Sequence, residues 1–197
     1  IGTVDGKKVA LGNKKLMEQT KAMIFKSIEN SIIESLANDD SVVVLTEKTS
    51  NLHHETFIDT IDTLITPFTD EDFKEFQPEI LITFGGMVVS KRIKAFLRKY
   101  KPKEHWHIDE LRAYDTFGSL SNHFETKPND FFKQLFSNSN LIESSYKTTY
   151  SNINEVRKSK HSQYVNNIPF SDFKAFEFIS HNLPKDIQLQ VSNSSAI

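Results

Sequence analysis

An α/β fold is predicted, with a doubly wound, mostly parallel sheet and helices on both faces, and three observations predict it. Short β runs alternate with segments of helical periodicity through the first two-thirds of the chain, the order expected when helices cover a parallel sheet. The run EILITF (79–84) leads through a double glycine straight into a helical apolar stripe. A further run, EHWHID (104–109), follows that stripe, and parallel strands need such a crossover between them. In Rossmann-like sheets of this kind, ligands bind at the carboxyl ends of the strands.

Taken in order, KKVAL (7–11) is a weak first strand. From Lys14 to Ala37, residues Phe25, Ile28, Ile32 and Leu36 recur at helical spacing and predict a long helix. SVVVLTE (41–47) predicts a strand whose β-branched run suits burial on both faces. ETFIDTIDTLI (55–65) predicts a short helix. Thr69 is placed to cap the next one, DEDFKEF, with Asp72 reaching back in a capping box, and Pro78 ends it. Val89, Ile93, Phe96, Leu97 and Tyr100 form one stripe, so 88–100 is expected to be a helix lying on the sheet. EHWHID sets Trp106 and Ile108 on one side of a strand, SLSNHFE (119–125) predicts a short edge strand, and PNDFFKQLF (128–136) a closing helix.

Composition changes after Phe136. Residues 137–169 are polar, poor in branched aliphatics and without a core stripe, and are expected to form a connector that is partly helical along its surface. FSDFKAFEFISHNLP (170–184) regains apolar character, and DIQLQVSNSSAI (186–197) predicts a strand and then a turn. The expected division is an α/β domain (1–137), a connector (138–169) and the truncated start of another domain (170–197). The chain starts on Ile and stops just after a predicted strand, so the expectation is a piece of a longer protein.

The 197 residues are 38% hydrophobic, enough for a packed core, and sixteen phenylalanines supply much of its volume. A formal charge of −2 gives no global attraction to nucleic acid or acidic membranes. The absence of cysteine excludes disulfides, thiolate nucleophiles and Cys-ligated zinc, and fits a reducing compartment. No apolar run approaches the ~20 residues that span a bilayer, and the N-terminal stretch lacks a signal-peptide core. A cytoplasmic protein with no membrane span and no nucleic-acid partner is expected.

The segment FGGMVVSKRIKAF (84–96) carries the best candidate chemistry. Gly85 and Gly86 permit a sharp turn, and Ser90 can cap the following helix, leaving its first N–H groups to face an anion. Lys91 and Arg92 add two cations, and a guanidinium can grip a carboxylate through two parallel hydrogen bonds. On a helical wheel Arg92 flanks the apolar stripe, while Lys91 points outward in line with Lys94 and Arg98. Spacing alone leaves two readings open, an anion site or a solvated basic face. Neither the dinucleotide fingerprint nor the P-loop spacing is present.

His105 and His107 share a face of their strand, but no third ligand stands at a recognisable spacing, so a structural role is expected rather than a metal site. His53 and His54 read as a loop element. Asp109, Glu110 and Asp115 follow a strand and are expected to cap turns more readily than to act as bases. The run from Lys91 to Lys103 holds seven cations, yet no aromatic platform interleaves with them as nucleic-acid binding would require.

At these residues a family likeness enters. EILITFGGMVVSKRIKAFLRKYKPKEHWHIDE (79–110), VVVLTEKTSNLHH (42–54) and the tail IQLQVSNSSAI resemble parts of the menaquinone-pathway 2-succinyl-5-enolpyruvyl-6-hydroxy-3-cyclohexene-1-carboxylate synthases (MenD). The first two are similar to the middle domain of these thiamine-diphosphate enzymes, and the tail to the start of their third, diphosphate-binding domain. The resemblance implies a parent transferase that uses thiamine diphosphate and Mg²⁺ to decarboxylate 2-oxoglutarate and add the succinyl unit to isochorismate. It implies that Lys91 and Arg92 contact substrate carboxylate, with Gly85, Gly86 and Ser90 supporting their turn. Asn193 and Ser194 match the Asn-Ser that opens the third domain near cofactor and substrate.

There are departures. Ser192 stands where the family has glycine, and the arginine expected soon after would fall beyond Ile197. The cofactor-activating glutamate of the first domain and the Gly-Asp-Gly-type metal segment have no counterpart here. The resemblance therefore implies no catalytic residue and no metal ligand in this chain, and no binding of thiamine diphosphate or Mg²⁺ by it alone. It also implies a parent homodimer or homotetramer. Two alternatives stay open: the middle domain of another thiamine-diphosphate enzyme (acetolactate-synthase-like), or a free-standing α/β ligand-binding module.

Overall fold

The computed structural model describes residues 2–4, 7–9, 28–50, 52–184 and 187. They divide into two compact units, Ser27–Ser159 and a second drawn from Ile1–Lys26 with Lys160–Ile197.

The larger unit is built on three parallel strands, β3 (Ile80–Phe84), β4 (Glu104–Ile108) and β5 (Leu120–Phe124), in the order β3-β4-β5. Ile80 pairs with Glu104 and Phe84 with Ile108, so β3 and β4 end level with one another. β5 is an edge strand, as SLSNHFE predicts, and its register with β4 shifts between His105 and Trp106. Side chains alternate across the sheet and feed two separate cores. Leu81 packs with α2 (Ile61–Ile65), α3 (Asp70–Phe76) and α4 (Lys91–Lys99), through Leu64, Phe76, Ile93, Phe96 and Leu97. Ile82, Phe84, Trp106 and Phe124 pack on the other side against α1 (Asn30–Asn38) and α5 (Pro128–Asn138), through Ile32, Leu36, Phe131 and Phe132. This is the Rossmann-like, doubly wound arrangement that the alternating pattern predicts. Burying Ile93, Phe96 and Leu97 holds α4 to the sheet at about 1.5–3 kcal/mol per side chain.

Local signals resolve as their chemistry dictates. Thr69 and Asp72 form a reciprocal capping box at α3, and Pro128 occupies the first turn of α5. Helix α4 begins at Lys91 rather than Val88, because residues 85–90 make a turn that Ser90 closes as cap. The helix expected over 55–65 forms only as α2.

Residues 41–47 are not a strand of the sheet. They run extended and send Val43 and Leu45 to one core and Val42 and Val44 to the other. Their one bridge among the described residues joins Leu45 to Ile58 in parallel. The β-branched run encoded burial on two sides, which the segment has; the continuous hydrogen-bond ladder is not a side-chain property.

KKVAL contributes β2 (Lys7–Val9), which pairs antiparallel with β1 (Gly2–Val4) instead of opening the parallel sheet. Of the helix predicted over 14–37, residues 30–37 fall in α1, Ile28 and Glu29 precede it outside the helix, and residues 10–27 lie outside the described residues. The strand predicted over 186–197 lies outside them as well, apart from Ile187, which belongs to no element.

The polar stretch after Phe136 contains α6 (Tyr146–Asn167), which does carry a core stripe. Tyr146, Tyr150 and Ile153 pack against the core of α2 to α4, the ring of Tyr150 lying 4.2 Å from that of Phe76. The Tyr146 hydroxyl donates to the carbonyl of Phe76 at 2.8 Å. Burial pushes both phenols up, Tyr150 to about 12. Thr60 donates to the buried Asn154 Oδ1 at 2.8 Å. The stripe eluded the sequence reading because tyrosines, a lysine and an asparagine carry it.

In the smaller unit, Ser171 caps α7 (Asp172–Asn182) by accepting from the Lys174 N–H. Phe170 just before this helix and Phe176, Phe178 and Ile179 on it are exposed. Among the described residues no helix is long and apolar enough to cross a membrane.

Lys147 makes a sharp stability test. It is buried, and its Nζ donates to the carbonyls of Ala37 at 2.6 Å and Leu36 at 3.5 Å, at the end of α1 where helical carbonyls lack partners. Burial lowers its pKa, against the opposing pull of Asp40 and Asp39. Lys147→Met keeps the stem and removes the donor, so it is expected to cost about 2 kcal/mol. Urea unfolding followed by fluorescence of Trp106, the single tryptophan, reads the loss; an unchanged midpoint would mean that the ammonium contributes nothing.

Candidate functional site

The turn between β3 and α4 lies at the carboxyl end of the sheet. Gly85 has φ +81°, a conformation that side chains disfavour. Gly86 is exposed with an ordinary φ, and a Cβ there would meet nothing within 4 Å. The first glycine is thus required by the backbone, whereas the second leaves open space beside the turn.

Ser90 accepts from the Ile93 N–H at 3.1 Å and donates its hydroxyl to the carboxylate of Asp62 in α2. The N–H groups of Val89 and Ser90 donate to the carboxylate of Glu47, at 2.8 Å and 2.7 Å for their shortest contacts. An anion therefore does face the start of α4, as the orphan donors of a helix N-terminus demand. It comes from the chain itself, from the end of the extended segment 41–47. Sequence reasoning missed Glu47 and Asp62. The N–H groups signalled that some acceptor was needed, but nothing local selected these two among 26 acidic residues.

Lys91 and Arg92 leave the first turn of α4 exposed, and neither side chain makes a hydrogen bond or ion pair among the described residues. The later cations of the basic run are engaged. Arg98 donates to Thr116 O at 2.9 Å, Lys99 pairs with Asp70 at 2.9 Å, Lys101 reaches Gly118 O at 2.8 Å, and Lys103 pairs with Glu79. The structure thus separates the Lys-Arg pair, together with Lys94, from the four later cations of the basic face. Asn193 and Ser194 lie outside the described residues.

Of the acidic candidates after β4, Asp109 and Asp115 close turns, while Glu110 is exposed. Asp109 accepts from the N–H groups of Leu111 at 2.8 Å and Arg112 at 3.0 Å, which hold its carboxyl below the usual range. Partial burial works against the Asp115 carboxylate, but the N–H groups of Leu120, Ser119 and Gly118 outweigh it and keep its pKa low. Neither is poised as a general base.

Five of the seven histidines fall into two groups. His54 Nδ1 accepts from the Thr56 N–H at 3.2 Å and its ring packs on Phe57 at 5.2 Å, while His53 is exposed. His105 and His107 share a face with Thr83, whose Oγ1 lies 2.8 Å from His105 Nε2 and 2.8 Å from His107 Nδ1. His105 is buried, with Phe117 against its ring and no partner for Nδ1 among the described residues. His123 Nε2 reaches the carbonyl of Asp109 at 2.8 Å. Among the described residues no group of three or more His, Asp or Glu side chains converges as metal ligands.

Comparison with known proteins adds relatives. Residues 25–191 match the family model described as the middle domain of thiamine pyrophosphate. A protein of Flavobacterium johnsoniae named 2-succinyl-5-enolpyruvyl-6-hydroxy-3-cyclohexene-1-carboxylate synthase is 61% identical over 171 residues, covering 87% of this chain and 31% of the relative. The synthase of the same name in Flavobacterium psychrophilum is 64% identical over 170 residues, covering 86% of this chain and 31% of the relative. That of Christiangramia forsetii is 47% identical over 176 residues, covering 87% and 30%. The chain thus spans about a third of the length of these curated relatives.

The histidine row generates a pH dependence. Burial lowers the pKa of His105, helped by His107 and opposed by Asp115; it lowers His107 as well, helped by His123 and opposed by Asp109. Below the ordinary value of 6.5 the unfolded chain takes up protons that the folded chain refuses. Stability is complete above that pH and falls as pH drops toward the folded-state values. Urea midpoints measured between about pH 7.5 and pH 5 are expected to decline, and less steeply for His105→Leu. Equal slopes for the two proteins would remove His105 as a cause.

Proposed function

The chain belongs to the family of thiamine-pyrophosphate middle domains, and from that premise we propose that it is the middle domain of a 2-succinyl-5-enolpyruvyl-6-hydroxy-3-cyclohexene-1-carboxylate synthase. In this reading residues 1–137 form the middle domain, 138–169 the connector and 170–197 the start of the cofactor-binding domain. The parent is a cytoplasmic homo-oligomeric transferase of menaquinone biosynthesis. It decarboxylates 2-oxoglutarate and transfers the succinyl unit to isochorismate, with thiamine diphosphate and Mg²⁺ supplying the chemistry of carbon–carbon cleavage and formation.

The observation that carries the reading is the unpaired Lys91–Arg92 couple on the clamped turn at the end of β3, in a chain 61% identical to a synthase of that name. Both substrates are polyanions. Arg92 offers a planar fork that binds a carboxylate through two parallel hydrogen bonds, and Lys91 a compact charge beside it. Their task is to bind and orient, and Asn193 and Ser194 are proposed to add polar contacts from the next domain. The described residues do not themselves fit a diphosphate or a metal ion. No acidic cluster converges among them, and the α4 N-terminus already faces a carboxylate.

Two measurements test this. In the longer protein that carries this chain, Arg92→Ala is expected to raise KM for 2-oxoglutarate or isochorismate roughly 10- to 100-fold, the loss of a charged hydrogen-bonded contact. The affinity for thiamine diphosphate should be little changed, and unaltered kinetics would return Arg92 to a solvated charge. Calorimetric titration of the 197-residue chain with thiamine diphosphate and Mg²⁺ is expected to give no binding heat. Tight binding of both would overturn the assignment of the cofactor to other domains.

A further inference from the structure

We infer that Glu47 is a positioning residue for the anion-binding turn, fixing the direction in which Lys91 and Arg92 leave α4. The inference rests on the reading of those two side chains as substrate-binding. Residues 85–89 make no main-chain to main-chain hydrogen bond among the described residues. They include two adjacent glycines, the residues that lose most conformational freedom on ordering. The Val88 side chain packs against the core, and two carboxylates tether the turn by hydrogen bonds. The Glu47 carboxylate takes the N–H groups of Val89 and Ser90, and Asp62 takes the Ser90 hydroxyl. Of the two polar tethers, only the Glu47 contact reaches the main chain ahead of the cap residue.

Glu47 is itself mounted on a fixed corner. Its carbonyl accepts from the Ser50 N–H at 2.9 Å and the Ser50 hydroxyl at 2.7 Å. Thr46 N–H donates to Ile58 O at 2.9 Å on one side, and Lys48 pairs with Asp59 on the other. A charge on a held backbone, engaged by two N–H donors, sets the geometry of the first turn of α4 across more than forty residues of sequence.

A double-mutant cycle in the longer protein separates positioning from general support. Glu47→Ala is expected to raise KM for the substrate that Arg92 binds roughly 10-fold while kcat moves by less than about 3-fold, because the lost term is orientation of a binding group. In the Arg92→Ala background the same change should add less than about 2-fold. Glu47→Gln retains an oxygen acceptor and should recover most of the affinity, whereas Glu47→Asp, one methylene short, should not. If Glu47→Ala compromises folding, Glu47→Asp takes its place in the cycle with the same expectation.

Equal effects of the Glu47 change in both backgrounds, or none in either, would overturn the positioning role while leaving Arg92 as a substrate contact. If Arg92→Ala alone leaves the kinetics intact, the substrate reading fails, and the positioning role falls with it.

Discussion

The carboxylate of Glu47 meets the main-chain N–H groups of Val89 and Ser90 at a point where three requirements converge. A parallel strand must end and reverse into a helix, the helix must find acceptors for its first N–H groups, and the glycines that allow the reversal must be kept from wandering. Glu47 serves them together with the cap: it holds the two residues just ahead of α4, while the Ser90 hydroxyl takes the Ile93 N–H. With α4 started in place, Ile93, Phe96 and Leu97 are aimed at the sheet and join Phe76 in the core. Tyr150 of α6 then closes over that same phenylalanine. The anchored turn and the core on this side of the larger unit are thus joined through α4.

Much of this frame was legible in the sequence because it is written in local chemistry. The capping box of Thr69 and Asp72, the Ser90 cap, the stripe of α4 and the strands over 80–84 and 104–108 each depend on residues a few positions apart. The missed features depend on distance. Glu47 finds its partners forty-two and forty-three positions away, Thr60 meets Asn154 across ninety-four, and Lys147 reaches Ala37 across a hundred and ten. Polar side chains satisfying backbone or one another over such separations leave no periodic trace. The stripe of α6 was overlooked for a related reason: its tyrosines bury rings while keeping hydroxyls, so a polar composition conceals an apolar face.

Charge is also sorted by geometry rather than by count. A run of seven cations looks like a single basic surface, yet four of them serve carbonyls or carboxylates of their own chain. The acidic residues after β4 behave likewise, with Asp109 and Asp115 holding loop N–H groups. Three are left over, Lys91, Arg92 and Lys94, and of these Lys91 and Arg92 stand exposed on the first turn of α4, next to the glycine turn.

Thr83 carries a consequence of another kind. Its hydroxyl lies between two imidazole nitrogens, of His105 and His107, and it has only one hydrogen to give. The threonine can donate to only one ring, whereas its two lone pairs can accept from both, so at least one of the two imidazole nitrogens must present a hydrogen to it. The protonation of the two rings is thereby linked through a single hydroxyl. At the far side of the row, His105 Nδ1 has no partner among the described residues. A valine at position 83 would preserve the shape and abolish that link, leaving two nitrogens facing each other across a methyl group.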